Sequence, residues 1–170
     1  MAAPVFSQIF SAFIFFLPAY VANTGAGFFG GGRALDGGRV LWDGRRVFGS
    51  GKTVRGTAAG IAVGTLYKVV ENLATAQPAG RELMLALLLS TGAMGGDLVG
   101  SFIKRRIGIE SGESAPLLDQ LDFALGALFL ATFVTPVSTE TVIILLLITP
   151  IGHLGVNITG FLLHRKEVPW

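Results

Sequence analysis

The sequence predicts an all-α integral membrane protein with five transmembrane helices, whose cytoplasmic loops form a polar cavity. Hydrophobic residues make up 51% of the 170 positions and charged residues 14%, and the mean hydropathy is +0.65. A water-soluble domain of this size would be less apolar, so much of this surface must face lipid. The chain has no cysteine, which excludes disulfides, zinc–thiolate sites and thiol nucleophiles.

Five apolar segments account for this composition, and together they form one transmembrane domain over residues 1–170. A helix needs about 20 apolar residues to cross a hydrocarbon core, and the fourth segment is short for a crossing. A cleaved signal peptide is the alternative for the first segment, but no basic region precedes it. The predicted spans are residues 4–22, 56–73, 83–103, 119–134 and 139–163.

Two of these spans carry glycine at every fourth position, a spacing that gives a helix one flat face for close packing against a neighbour. The glycines are Gly56, Gly60 and Gly64 in the second span and Gly92, Gly96 and Gly100 in the third. At the end of the second span, Lys68 and Glu71 are spaced to form an i, i+3 pair.

Positive charge is distributed very unevenly between the loops. With five spans, residues 23–55, 104–118 and 164–170 lie on one side, and they hold eleven of the thirteen lysines and arginines. The positive-inside rule places this side in the cytoplasm and the amino terminus outside the cell membrane. A water-soluble substrate would therefore reach the site from the cytoplasm, no nucleic-acid partner is expected, and a homodimer is left open.

The basic segment 23–55 is too rich in glycine for a helix across lipid. Residues 25–30 match the dinucleotide motif G-x-G-x-x-G, but they follow a transmembrane helix without a βαβ unit. Residues 51–53 resemble the end of a P-loop, but Arg46 stands where that motif requires glycine.

A looser interpretation of this segment is a phosphate site before the second span, built from flexible backbone amides and nearby polar side chains. The alternative is a basic loop that lies against anionic lipid headgroups. The side chains of the predicted phosphate site are Lys52, Thr53 and Arg55.

Asp97 lies within the third apolar span, where an ionised side chain is costly and marks a candidate functional site. Asp97, Ser101, Lys104 and Arg105 fall at i, i+4, i+7 and i+8, so they share one face of a helix. The first turn of the fourth span adds two more carboxylates, which also complement the helix dipole. They are Asp119 and Asp122.

Carboxylates beside lysines and arginines predict phosphate chemistry. Aspartate oxygens suit Mg²⁺, which also shares the phosphates of its substrates. Such groups support phosphoryl or nucleotidyl transfer by positioning and charge neutralisation. The residues alone therefore predict an intramembrane Mg²⁺-dependent transferase acting on a lipid phosphate or alcohol.

A family resemblance makes this prediction more specific. Ser101-Phe102-Ile103-Lys104-Arg105, followed by Asp119-x-x-Asp122, resembles the phosphatidate cytidylyltransferase signature, S-x-apolar-K-R and then D-R-x-D. The chain departs from it at Gln120, which replaces the arginine, and at residues 114–116, which replace H-G-G. The small size, the five spans and residues 51–56 and 96–98 are more similar to the archaeal branch, the CDP-archaeol synthases.

The resemblance implies transfer of a cytidylyl group from CTP to 2,3-bis-O-(geranylgeranyl)-sn-glycerol 1-phosphate. The products would be a CDP-activated ether lipid for membrane phospholipid biosynthesis and pyrophosphate, with Mg²⁺ as the cofactor. The implied metal ligands are Asp97, Asp119 and Asp122, which with Lys104 form the catalytic set. The implied nucleotide-binding residues are Asn23, Lys52, Thr53, Arg55, Ser101, Lys104 and Arg105.

Three other functions remain as alternatives. A phosphatidate cytidylyltransferase would use a diacyl lipid instead, and a polyprenol or lipid kinase would release a nucleoside diphosphate. A small ion transporter would use Asp97 and Lys68 as a relay, but the sequence has no inverted repeat.

Overall fold

The computed structural model of the protein describes residues 4–76 and 80–162, which form five α-helices and no β-strand. Part of the loop between the second and third predicted spans and the tail 164–170 lie outside these residues. The all-α prediction is confirmed. The helices are α1 (Val5–Phe28), α2 (Val54–Thr75), α3 (Gly80–Arg106), α4 (Leu118–Ala131) and α5 (Thr139–Leu162).

Two of the five helices are long and apolar enough to cross a membrane. They are α1, with 24 residues, and α3, with 27. The apolar part of α5, Thr139–Gly152, is shorter, and α4 has only 14 residues. By length and composition alone, α1 and α3 are therefore the two membrane-spanning candidates among the described helices.

The structure corrects the predicted boundary between α1 and the glycine-rich segment. We expected that segment to begin at Asn23, but α1 continues to Phe28 through Gly25 and Gly27. Gly25 is buried against α2, and a Cβ there would lie 3.1 Å from Cγ2 of Val63. This packing outweighs the low helix propensity of glycine.

The glycine face of α2 packs against α1, as the spacing predicted. Gly56, Gly60 and Gly64 are all buried. A Cβ on Gly60 would lie 2.8 Å from the carbonyl oxygen of Ala22, and one on Gly56 would lie 3.0 Å from that of Ala26. The two backbones therefore approach as closely as glycine allows.

The second glycine row makes an even closer contact between α3 and α4. A Cβ on Gly92 would overlap the carbonyl oxygen of Gly126, and one on Gly96 would overlap the carbonyl oxygen of Asp122. Further along, a Cβ on Gly100 would overlap the Asp122 carboxylate. Both predicted glycine faces are thus confirmed as contact surfaces.

Ion pairs and hydrogen bonds also hold the helices together. Lys68 Nζ lies 3.1 Å from Glu71 Oε2, which is the predicted pair, and 3.0 Å from Glu82 Oε2 of α3. The Tyr20 and Thr149 hydroxyls, 2.8 Å apart, join α1 to α5. Four large apolar side chains, one from each of four helices, are fully buried in the core: Phe16, Leu89, Phe123 and Leu145.

We expect Gly96→Ala to destabilise the protein, because its methyl group would push α3 away from α4. Overpacking of this kind costs about 1–3 kcal/mol. The control is Gly95→Ala, since Gly95 is exposed and a Cβ there would have no neighbour within 4 Å. That change should be neutral or stabilising by about 0.5–1 kcal/mol. Thermal unfolding midpoints in detergent test the difference, and equal midpoints would contradict this account of the interface.

Candidate active site

A polar cavity of about 430 Å³ lies at the end of the bundle where α1 and α3 finish and α2 and α4 begin. We call this the cavity end. The loop of residues 29–53 and the loop of residues 107–117 complete its wall. Of the predicted site residues, eight line the cavity: Asn23, Lys52, Thr53, Asp97, Ser101, Lys104, Arg105 and Asp119.

The last turns of α3 supply half of these lining residues. Asp97, Ser101, Lys104 and Arg105 all face the cavity, so the predicted common face exists. The basic residues close α3 instead of beginning the following loop, because the helix continues to Arg106. Thr53 supports the site from α2: it is the N-cap of that helix, and its hydroxyl accepts a hydrogen bond from the Gly56 amide.

Two lysine–aspartate pairs dominate the electrostatics of the cavity. Lys52 Nζ lies 2.5 Å from Asp97 Oδ1, so the loop of residues 29–53 is tied to α3. Lys104 Nζ donates to both carboxylate oxygens of Asp119, at 2.8 and 3.0 Å, and to the Glu113 carbonyl at 2.6 Å. The Asp97 and Asp119 carboxylates are therefore each neutralised by a lysine that lines the same cavity.

Arg105 presents buried donors that have no hydrogen-bond partner. Arg105 is 7% exposed, and its Nε and Nη1 atoms are buried without a hydrogen-bond partner. A buried cation without a partner carries a large desolvation cost, which an anion would relieve. Since Arg105 lines the cavity, these N–H groups indicate a binding site for an anion.

Two predicted site residues do not line the cavity. Asp122 is buried between α3 and α4, where its carboxylate lies against Gly100 and Oδ1 accepts a 2.6 Å hydrogen bond from the Phe123 amide. Arg55 donates from Nε to the Phe29 carbonyl at 2.9 Å. Within residues 4–76 and 80–162, no three acidic or histidine side chains are placed to hold a metal ion. The three-aspartate metal site therefore stays a prediction.

Sequence reasoning missed Asp36, which organises the loop of residues 29–53. Its side chain is fully buried and accepts hydrogen bonds from Arg46 Nη2 at 2.5 Å, Phe48 N at 3.1 Å and Gly49 N at 3.0 Å. Burial acts to raise the pKa of Asp36, but the Arg46 guanidinium and the backbone amides outweigh it and hold the pKa well below its usual range. The only signal in the sequence was an aspartate before two glycines, a pattern typical of turns.

The same loop docks onto the end of α3. Arg45 Nη1 donates to the carbonyls of Arg105 and Arg106, at 3.2 and 3.0 Å, in the last turn of α3, where carbonyls have no partner within the helix. Arg106 pairs with Asp43 at 2.8 Å. These arginines position the loop, while Lys52 and Arg105 face the cavity.

Contacts between the two loops close the cavity wall. The Ser50 amide donates to Ser111 Oγ at 3.1 Å. Gly49 has a φ of +103°, and a Cβ there would lie only 2.8 Å from Ser111 Oγ. Glycine is required at this position for both its backbone conformation and the close approach.

Almost the whole chain is similar to known proteins. Residues 5–170 match the CarS-like family model, described as CDP-archaeol synthase. The CDP-archaeol synthase of Thermococcus kodakarensis is 47% identical over 167 residues, which cover 96% of this chain and 98% of that protein. The CDP-archaeol synthase of Methanocaldococcus jannaschii is 44% identical over 172 residues, with 95% and 97% coverage.

A solved structure supports the same relationship. It is that of an intramembrane enzyme for archaeal membrane lipid biosynthesis, and it is 41% identical to this chain with a TM-score of 0.81. The match covers 88% of this chain and 94% of the solved one. Sequence and fold therefore agree, and the chain belongs to the CDP-archaeol synthase family.

Proposed function

We propose that this membrane enzyme transfers a cytidylyl group from CTP to an ether-lipid phosphate, 2,3-bis-O-(geranylgeranyl)-sn-glycerol 1-phosphate. The products are a CDP-archaeol-type lipid and pyrophosphate. Membership of the family supports a cytidylyltransferase. The observation that carries the proposal is the cavity itself, where two lysine–aspartate pairs and the unpaired donors of Arg105 converge.

The reaction makes one bond and breaks one bond at the α-phosphorus of CTP. An oxygen of the lipid phosphate attacks this phosphorus, and the bond to the bridging oxygen of the β-phosphate breaks, so that pyrophosphate leaves. No covalent enzyme intermediate is needed. Three cationic side chains that line the cavity hold the triphosphate and offset its charge during transfer: Lys52, Lys104 and Arg105.

The residues of the cavity fit Mg²⁺ that arrives with the nucleotide. Mg²⁺ is usually held by one or two carboxylates together with substrate phosphates and water. Asp97 and Asp119 supply two carboxylates on one cavity wall and would hold the ion. Bound Mg²⁺ would polarise the phosphoryl oxygens and neutralise their negative charge.

The two lysine–aspartate pairs support a specific exchange on binding. Lys52 and Lys104 would turn to the phosphates of the nucleotide, and Asp97 and Asp119, released from their lysine partners, would hold the ion. Each of these four charges, which are partly or fully buried, would then keep a partner of opposite sign, so that no desolvation cost is left uncompensated. A metal ion alone would have to displace a lysine that gains no new partner.

The position of the cavity supports the lipid substrate and the topology. It lies at one end of α1 and α3, which are long and apolar enough to span a membrane, so isoprenoid chains could remain in the bilayer while CTP binds from the water. We propose that all five helices span the membrane. The amino terminus is then outside, and the cavity and carboxyl terminus are cytoplasmic.

Purified protein incubated with labelled CTP, Mg²⁺ and the ether-lipid phosphate should yield CDP-lipid and pyrophosphate in equal amounts. Asp97→Asn and Asp119→Asn should each lower turnover by several orders of magnitude, because each removes a carboxylate from the cavity. Glu140→Gln, in the first turn of α5, is the control and should retain activity. Release of CDP instead of pyrophosphate would indicate a kinase, and faster turnover of diacyl phosphatidate would replace the proposed lipid.

Lys52→Met and Lys104→Met test the exchange. Each should weaken CTP binding about tenfold or more, since a charge-assisted contact to phosphate is worth about 1.5–3 kcal/mol. Each should also tighten Mn²⁺ binding without nucleotide, because a carboxylate loses its lysine partner. Calorimetry of CTP and electron paramagnetic resonance of Mn²⁺ measure the two effects.

The control for this pair is Arg39→Met, which removes an exposed positive charge from the same loop. It should change neither affinity appreciably. Both lysines act on one triphosphate, so the double variant should be non-additive. Unaltered CTP affinity in the double variant would remove both lysines from the site.

The topology can be tested with single cysteines, since the chain has none of its own. Arg39→Cys lies in an exposed part of the loop of residues 29–53, and Thr139→Cys lies at the opposite end of the bundle, where α5 begins. A thiol reagent that cannot cross the membrane should label Thr139→Cys in intact cells and Arg39→Cys only after lysis. Labelling of both from the same side would overturn the five-span arrangement.

A further inference from the structure

The loop of residues 29–53 carries an exposed aromatic tip away from the cavity. Its backbone forms a tight turn, in which the Leu41 amide donates to the Arg45 carbonyl at 2.9 Å and the Gly44 amide to the Leu41 carbonyl at 3.0 Å. The two most exposed apolar side chains at this tip are Trp42, at 85%, and Val40, at 59%. Tryptophan is a large, mostly buried residue in proteins, so this exposure needs an explanation.

The tip lies beside the final turn of α3. The Arg106 guanidinium carbon is 6.0 Å from the centre of the Trp42 ring and 5.1 Å from that of Phe102. Next to them, Ile103 and Ile107 are exposed apolar side chains. Trp42 therefore continues an apolar surface that begins on α3.

The length of α3 sets the depth of this surface. With 27 residues, α3 is about 40 Å long at 1.5 Å per residue, which matches a bilayer including its headgroup regions. The last turn of a helix that crosses the bilayer lies at headgroup level. The other membrane-capable helix, α1, ends in the same way, with Phe28 81% exposed and Phe29 next to it 50% exposed.

We propose that the tip of this loop, residues 40–44, is an interfacial anchor that inserts Trp42 between the lipid headgroups at the cavity end. Aromatic rings of amphipathic character concentrate at this level of a membrane. The same loop also places Lys52 against Asp97. The anchor therefore fixes the cavity wall at the depth of the lipid phosphates. This proposal requires that the protein is embedded in a membrane, but it does not depend on the cytidylyl-transfer reaction.

Charge favours a bilayer over a second copy of the chain as the surface that covers Trp42. Residues 29–53 contain five basic and two acidic residues, a net charge of +3. Two copies facing each other through this loop would oppose like charges, whereas anionic headgroups attract it. Arg33 and Arg39, both exposed, would face those headgroups.

The sequence offers a direct reporter, since Trp42 and Trp170 are its two tryptophans. In the Trp170→Phe variant, reconstituted in phosphatidylcholine–phosphatidylglycerol vesicles, the emission comes from Trp42 alone. We expect a blue-shifted maximum, stronger quenching by lipids brominated near the headgroup than by lipids brominated at the chain ends, and little quenching by iodide. Phe28→Trp, in a background of Trp42→Phe and Trp170→Phe, is a positive control for the same level.

Two results would overturn the proposal. Full access of iodide with no quenching by brominated lipid would place the ring in water. A blue shift without lipid quenching would mean that another protein surface covers the ring. Trp42 is 85% exposed, so packing against residues 4–76 and 80–162 of its own chain does not account for that shift. A failed cytidylyl transfer assay would leave both readouts unchanged, so the anchor and the proposed reaction are tested separately.

Discussion

The backbone contact between α3 and α4 determines where the charged residues of the cavity meet. At Gly92 and Gly96 the two helices approach so closely that α4 backbone atoms occupy the space of a Cβ. Ordinary side chains would separate the helix axes to about 8–10 Å. Because the axes stay close, Lys104 at the end of α3 can hold both oxygens of Asp119 at the start of α4. Packing between apolar segments thereby sets the geometry of polar groups near their ends.

The opposite wall is held in a different way, since no apolar side chain of the loop of residues 29–53 is buried. Inside the loop, the buried Asp36 carboxylate pairs with Arg46. At the end of α3, Arg45 donates to the backbone carbonyls of Arg105 and Arg106. Hydrogen bonds to charged groups are stronger than neutral ones. A glycine-rich segment can thus hold one conformation and place Lys52 against Asp97.

Helical periodicity made the regular parts of this molecule predictable. It placed Asp97, Ser101, Lys104 and Arg105 on one face and identified both glycine rows, because these depend only on spacing along a helix. What could not be predicted depends on contacts distant in sequence. Gly25 remains helical because Val63 packs on it, and Asp122 turns behind the cavity because Gly100 leaves room there. Spacing alone also gave no sign that Arg55 would bond to Phe29.

Helix α2 is held against α3 by two lysines: Lys52, two residues before α2 begins, pairs with Asp97 at the cavity, and Lys68, within α2, pairs with Glu82. When one of these two ion pairs breaks, the other still holds α2 against α3 and keeps the separated side chains near each other. The separated groups then meet again at an effective concentration on the order of millimolar, as in any tethered pair. An anion that takes Lys52 from Asp97 thus competes with a tethered carboxylate, and a multiply charged anion does so more readily than a weakly charged one.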